Sequence, residues 1–141
     1  MTTTATKTNV NGAPGYAAQL PCLPEAVQRA RAFVSGVLDA WGMKETLAGE
    51  VIVSELLTNV VVHTSTDLTT VAIQRDGTCQ ARIEVADASH VPPHVVDASG
   101  GAECGRGLQL VALLSSRWGY EDRPWGKVTW AELSLCAESG R

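Results

Sequence analysis

The chain has 141 residues and a formal net charge of −4, a length that fits one domain of ordinary size. Hydrophobic residues make up 45% of it and charged residues 18%, which excludes a largely disordered protein. The chain is acidic and has no stripe of basic residues that could neutralise a phosphate backbone, so we expect no direct nucleic-acid partner. No apolar run approaches the roughly 18 residues of a membrane span, and we expect a cytoplasmic protein. The four cysteines form no CxxC pair, which favours reduced thiols.

The organisation along the chain is predicted from composition and periodicity. Residues 1–14 lack apolar periodicity and carry Asn, Gly and Pro, which predicts a disordered leader. Residues 15–136 are predicted to form the domain, and residues 137–141 a short tail. The domain begins with a predicted edge strand over residues 15–20, because the prolines that follow cannot donate to a strand ladder.

Two helices are predicted next. Over residues 25–41 apolar side chains recur at helical spacing, and Gly42 supplies a stop signal, so this helix is amphipathic. Over residues 45–63 apolar side chains point around the whole circumference. That pattern predicts a helix buried on most of its sides.

A hairpin and a long irregular segment follow the helices. Residues 69–74 and 81–86 alternate as strands do, and Asp76 and Gly77 between them form a common hairpin dipeptide. Residues 87–104 contain two prolines and two glycines and exceed the usual length of a connection. They are interpreted as a functional loop or lid.

The remaining elements are a helix over residues 107–116 and strands over residues 117–121 and 128–135. Together the elements predict an α+β fold, specifically a two-layer sandwich. Its sheet would be mixed but mostly antiparallel, with about five strands and about three helices on one face.

The second predicted helix carries Glu55, Asn59 and His63 on one face. A buried carboxylate is costly unless it is paired, so these side chains need partners. One interpretation is a core network satisfied by backbone, water or an arginine. The other is a Mg-nucleotide site, in which the Asn59 carbonyl oxygen anchors Mg²⁺ and Glu55 acts as general base in phosphoryl transfer.

Asp87 ends an apolar row. Strand alternation places it on the same inward face as Ile83 and Val85. It is interpreted either as a turn former at the strand end or as an acceptor for the exocyclic amine of adenine.

The segment Gly105-Arg106-Gly107-Leu108 closes the irregular loop and opens a helix. Glycines let the backbone approach a phosphate, and a helix N-terminus favours an anion, so the segment is a candidate phosphate cradle. A plain loop closure is the other interpretation. The segment does not match the Walker A motif. It does not match GxGxxG either, because Leu110 stands at the position of the last glycine.

The order of these motifs resembles a known family. A helix with ExxxN, a strand ending in Asp, a long loop and GxG opening a helix are similar to the ATP-binding fold of DNA gyrase, histidine kinases and MutL, the GHKL superfamily. Residues 53–59 would be its N box, Asp87 its first glycine-box aspartate, and residues 105–108 its second glycine box. Residues 55–64, 105–114 and 126–133 most resemble stand-alone anti-sigma-factor serine/threonine kinases.

The resemblance implies roles for these residues. Asn59 would hold Mg²⁺, Glu55 would be the catalytic base and Asp87 would bind adenine. The other residues expected at the ATP are Gly105, Arg106, Gly107, Leu108 and Thr129. Such kinases bind a sigma factor and phosphorylate a serine or threonine of an antagonist protein; a homodimer is left open.

One departure from the family pattern separates two functions. After Asp87 the family continues DxGxG, whereas residues 88–91 here read Ala-Ser-His-Val. The loss of both glycines removes backbone freedom beside the base. The alternative to a kinase is therefore a module of the same fold that sequesters a sigma factor or its antagonist, with nucleotide weak or absent.

A different class of site is a zinc site formed by His90, His94 and Cys104. A closed zinc site needs a fourth ligand, and no companion pair is evident in the sequence.

Overall fold

The structure is a computed structural model, and it describes residues 2–6, 15–77, 79–93 and 107–135. The helices are α1 (Ala26–Ala40), α2 (Leu47–His63) and α3 (Gly107–Leu114). The strands are β1 (Thr2–Thr6), β2 (Gly15–Pro21), β3 (Leu68–Asp76), β4 (Gln80–Asp87), β5 (Arg117–Arg123) and β6 (Gly126–Ser134).

The strands form one sheet in the order β1-β2-β3-β4-β6-β5. Every neighbouring pair is antiparallel. The predicted α+β sandwich is confirmed, with helices packed on one face of the sheet. The sheet differs in detail from the predicted one, because it has six strands and no parallel pair within the described residues.

The sixth strand, β1, lies inside the segment predicted to be a disordered leader. It pairs with β2 from Thr2 opposite Gln19 to Thr6 opposite Gly15. An edge strand needs only backbone hydrogen bonds to its neighbour, so it requires no apolar alternation, and threonine is a β-branched residue that favours strands. Residues 2–6 therefore form a strand and not part of a disordered leader. Residues 7–14 and 137–141 lie outside the described residues.

The core lies between the inward face of the sheet and the helices. Its large, fully buried side chains are Leu20, Val34, Leu38, Ile52, Val53, Leu57, Val71, Ile73, Ile83, Val85 and Val111. Each such side chain contributes roughly 1.5–3 kcal/mol when it leaves water. This apolar layer fixes the position of α2 over β4 and β6.

Helix α2 packs against α1, α3 and the sheet, as its apolar circumference predicts. Gly49 permits the close approach to α1, because a Cβ there would lie 2.5 Å from Leu38 Cδ1. At the other end, the Thr64 hydroxyl donates to the Val60 carbonyl oxygen at 2.8 Å. The packing of α2 on the sheet places the ExxxN segment near the end of β4.

The opposite face of the sheet carries charged side chains around Arg82. Its guanidinium donates to Glu84 at 2.8 Å and to Glu121 at 3.0 Å, and it lies 3.6 Å from Glu132. It also stacks over the Trp130 ring, 4.2 Å from the ring centroid. Alternation along β4 therefore separates an apolar face from a charged one.

The cysteines differ from each other. Cys22 is a free, half-buried thiol, as predicted. Cys79 is disulfide-bonded, so the prediction of reduced thiols is wrong for Cys79. A disulfide joins residues that the fold brings together, and spacing along this chain carried no sign of it.

The described part of the chain contains no helix that is both long and apolar enough to cross a membrane.

Candidate functional site

A cavity of about 260 Å³ opens between α2, the end of β4 and β6. This volume is near the lower end of the range for small-molecule sites, about 300 Å³. Its walls include the apolar side chains Leu56, Val60 and Leu108 and the polar side chains Asn59, Asp87, Lys127 and Thr129. An apolar pocket with a few convergent polar groups is the usual form of a ligand site.

Asp87 reaches the cavity because it is the last residue of β4 and points inward. It is 4% exposed, which confirms the alternation argument. In the β4–β6 ladder it stands directly opposite Lys127. The two side chains form a buried ion pair, with Nζ 3.0 Å from Oδ1.

The Asp87 carboxylate is only partly satisfied within the described residues. Oδ1 accepts hydrogen bonds from Lys127 Nζ at 3.0 Å and from the Ser89 backbone N–H at 2.8 Å. Oδ2 accepts none from the described residues. A carboxylate has about four acceptor sites, so Asp87 keeps acceptor capacity for a ligand.

The segment after Asp87 turns without the two family glycines. No non-glycine residue in the described ranges has a positive φ, so residues 88–91 need no glycine for their conformation. The Ser89 N–H bond to Asp87 closes an Asx turn, and the Ser89 hydroxyl accepts the Val91 N–H at 3.0 Å. Side-chain hydrogen bonds thus form the turn beside the cavity.

Lys127 is the residue of the cavity that sequence reasoning missed. It is 5% exposed, and Nζ also donates to the Ser89 carbonyl oxygen at 3.4 Å. A signal for it exists, since alternation along β6 puts Lys127 on the same inward row as Thr129 and Ala131. A charged residue at an inward position implies a buried partner.

Asn59 and Thr129, two of the residues that the family resemblance places at the ATP, line the cavity. Asn59 is half-buried, and within the described residues its amide makes no hydrogen bond to another side chain or to the backbone. The predicted core network of Glu55, Asn59 and His63 does not form among the described residues, although His63 also lines the cavity. A neutral amide oxygen beside the other polar groups of this cavity fits a weak Mg²⁺ anchor.

Glu55 does not line the cavity. Its carboxylate lies against the start of α3, where a Cβ added to Gly107 would stand 2.6 Å from Oε1. Glu55 and the second glycine motif are therefore neighbours, although they are distant in sequence.

The second glycine motif is described only in part. Helix α3 begins at Gly107, as predicted, and Gly107 and Leu108 are both buried. Leu108 lines the cavity, which brings the start of α3 to the same site as Asp87. Gly105 and Arg106 lie outside the described residues.

The described residues give no support for the interpretation as a zinc site. His90 is exposed and its Nδ1 lies 4.0 Å from an Asp122 oxygen. His94 and Cys104 lie outside the described residues, and within the described ranges no three His, Cys, Asp or Glu side chains cluster as metal ligands do.

The comparison with known proteins agrees with this geometry. The family model of the histidine kinase-like ATPase domain matches residues 20–133, from the end of β2 to the end of β6. No curated protein matches the chain. The match spans most of the chain and includes α2, Asp87 and α3, and the chain therefore belongs to the family of histidine kinase-like ATPase domains.

Proposed function

We propose that the cavity binds ATP. The observation that carries the proposal is that Asn59, Asp87 and Thr129, which are well separated in the sequence, line one cavity beside the start of α3. Asp87 Oδ2 accepts the exocyclic amine of adenine. Leu56 and Leu108 supply apolar walls for the base.

The phosphate end of the nucleotide lies toward Asn59 and Gly107 in this proposal. Asn59 holds Mg²⁺ through its amide oxygen, and a bound Mg²⁺ supplies neutralisation of phosphate charge. The backbone at Gly107 opens a helix, whose N-terminal N–H groups favour anions.

Thermal unfolding with and without Mg-ATP tests the binding. ATP at a hundred times its Kd stabilises the folded state by about 2.7 kcal/mol, which raises the Tm by several degrees. Asp87→Asn removes the anionic acceptor and should abolish the shift, whereas Asp39→Asn, at an exposed position of α1, should leave it unchanged. The absence of any shift in the wild-type protein at millimolar Mg-ATP would refute the proposal.

The magnesium role has its own measurement. Asn59→Ala should lower ATP affinity in Mg²⁺ to the value that the wild-type protein shows in EDTA. An affinity of Asn59→Ala that still rises when Mg²⁺ is added would place the metal elsewhere.

We further propose that the domain is a regulatory serine/threonine kinase of the anti-sigma-factor type. The hydroxyl oxygen of an antagonist protein attacks the γ-phosphorus, the bond to the β–γ bridging oxygen breaks, and ADP leaves. Glu55 accepts the hydroxyl proton. The contact of its carboxylate with Gly107 supports this role, because it brings Glu55 of α2 to the start of α3, where the phosphates are proposed to lie.

Transfer of labelled phosphate from ATP to a cognate antagonist tests the reaction. Glu55→Gln should stop the transfer and keep ATP binding, while Glu25→Gln, an exposed position before α1, should retain both. Transfer by Glu55→Gln at the wild-type rate would exclude Glu55 as the base.

A second candidate is a module that sequesters a sigma factor or its antagonist without catalysis. The Asp87–Lys127 pair favours it, because part of the carboxylate is already occupied. This candidate predicts that partner binding is the same with Mg-ATP, with EDTA and in Asp87→Asn. The kinase proposal predicts instead that nucleotide changes the affinity for at least one partner.

A further inference from the structure

The buried amine of Lys127 has a free capacity that the proposed ATP site does not use. An ammonium group has three donors. In the described residues Nζ makes a hydrogen bond of 3.0 Å to Asp87 Oδ1 and a long one of 3.4 Å to the Ser89 carbonyl oxygen. The side chain is nine-tenths buried or more and lines the cavity beside Asp87.

We infer that Lys127 is a second base-binding residue and that the site takes both 6-amino and 6-oxo purine nucleotides. The inference rests on the proposed nucleotide site. Asp87 and Lys127 present an acceptor and a donor side by side, with Oδ1 and Nζ 3.0 Å apart. Their edge complements any base that has a donor next to an acceptor.

Both purine classes have such an edge. Adenine offers its exocyclic amine as donor beside ring N1 as acceptor. Guanine and hypoxanthine offer the N1–H group as donor beside O6 as acceptor. Asp87 accepts from the donor and Lys127 donates to the acceptor in either case, with the 6-oxo base turned over relative to adenine, because the donor and the acceptor exchange places on its edge.

Without Lys127, Asp87 would select strictly for adenine. A carboxylate facing O6 brings two acceptors together, and a buried polar group left without its partner discriminates by about 10⁴-fold or more. The ammonium group removes that penalty, because it provides the missing donor at hydrogen-bond distance from the carboxylate. Lys127 therefore broadens the substrate class rather than only pairing Asp87.

Calorimetric titration of the full chain with Mg-ATP, Mg-ITP and Mg-GTP tests the inference. We expect the three Kd values to lie within about tenfold of one another. ITP is included because it has O6 but lacks the 2-amino group of guanine, so steric exclusion of that group would weaken GTP alone. A preference for ATP over ITP of more than about a hundredfold would overturn the inference while leaving the ATP site intact.

Variants of Lys127 separate base binding from positioning of Asp87. Lys127→Met should weaken ITP at least tenfold more than ATP, and Lys127→Gln, whose amide keeps an N–H donor, should recover part of the ITP affinity. Lys44→Met, at an exposed position between α1 and α2, serves as the matched loss of a positive charge and should change neither. Equal weakening of ATP and ITP by Lys127→Met would overturn the inference and assign Lys127 to positioning of Asp87.

The outcomes also separate this inference from the proposed function. If the wild-type protein binds no nucleotide, the proposed function fails. If it binds ATP and excludes ITP, only the inference fails. Lys127→Met is compared by its ATP-to-ITP ratio together with its unfolding curve, so a loss of folded protein is measured directly and the wild-type titration still decides.

Discussion

The Glu55 carboxylate occupies the space that a side chain at residue 107 would fill. A Cβ on Gly107 would lie 2.6 Å from Glu55 Oε1 and 3.6 Å from Glu55 Cβ. The first atom is the end of a flexible side chain, so an alanine at this position moves the carboxylate rather than the backbone. Gly107 is therefore a means to displace the proposed base without altering it.

We predict that Gly107→Ala keeps the fold and moves Glu55. Its free energy of unfolding should stay within about 1 kcal/mol of wild type, because alanine is favourable in a helix. The carboxyl ¹³C signal of Glu55 should shift, and phosphate transfer should fall at least tenfold. Gly36→Ala, on α1 with nothing within 4 Å of the added Cβ, is the control. An unmoved Glu55 signal would contradict the contact.

Gly126→Ala is predicted to destabilise the protein strongly. Gly126 has a φ of 155°, and an added Cβ would collide with the backbone oxygen of Asp87 and lie 2.7 Å from Ala88 Cα. Backbone atoms cannot rotate away, so we expect a loss above about 2 kcal/mol in denaturant unfolding. Gly77→Ala, which has a φ of 76° but open space around it, should cost only about 1 kcal/mol. Equal losses in the two variants would exclude the collision.

Glu132 is predicted to control stability in acid. Its side chain is 5% exposed and accepts hydrogen bonds from Arg117 Nε at 2.8 Å and Nη2 at 3.1 Å. These bonds, opposed by burial and helped by the charges of Arg117 and Arg82, hold the pKa of Glu132 below its usual value. A carboxyl whose pKa is lowered in the folded state stabilises the folded protein at pH values above the pKa of the unfolded chain, about 4.3. That stability is lost as the pH falls through the pKa of the folded state.

The measurement is the free energy of unfolding between pH 7 and pH 2. Glu132→Gln should be less stable at pH 7 by about 1–3 kcal/mol and should lose less stability than wild type below about pH 4.3. Glu25→Gln, at an exposed position, should follow the wild-type curve. If the free energy of unfolding falls equally with pH in wild type and in Glu132→Gln below about pH 4.3, the pair with Arg117 does not control the loss of stability in acid.

The thiol of Cys22 is predicted to report the charge of Asp87. Burial raises the pKa of Cys22, and the negative charges of Asp87 and Asp67 raise it further. The thiolate is the reactive form, so alkylation by iodoacetamide at neutral pH should be slow and should accelerate as the pH rises. Asp87→Asn removes one negative charge and should speed the reaction at Cys22, measured by mass spectrometry of its peptide.

Asp39→Asn provides the matched control for this rate, because it removes a carboxylate at an exposed position of α1. A Cys22 rate that is unchanged in Asp87→Asn would mean that burial alone determines the reactivity.

The sequence predicted those elements along which apolar side chains recur at a regular spacing. Helix α2 and strands β3 and β4 were recognisable because apolar side chains recur along them, and the inward position of Asp87 follows from the same alternation. Strand β1 was missed because it is held at the sheet edge by backbone hydrogen bonds to β2, which side-chain patterns do not encode.

The site was predictable only where one residue could be placed by its own element. Asn59 and Asp87 satisfied that condition. The ion pair with Lys127 depends on how β4 pairs with β6, and the contact between Glu55 and Gly107 depends on how α3 packs on α2. Both are tertiary relationships, and no local pattern determines them.

The pairing of β4 with β6 has a consequence for how the chain finds its fold. Asp87 and Lys127 are direct partners in the ladder, and a slip of one residue would turn every side chain of β6 to the other face. The slipped sheet would turn Val128 and Trp130 toward the helices but leave Asp87 without its cation in the apolar layer, at the penalty of an uncompensated buried charge. One ion pair at the end of the ladder therefore helps the protein to reject a misregistered sheet.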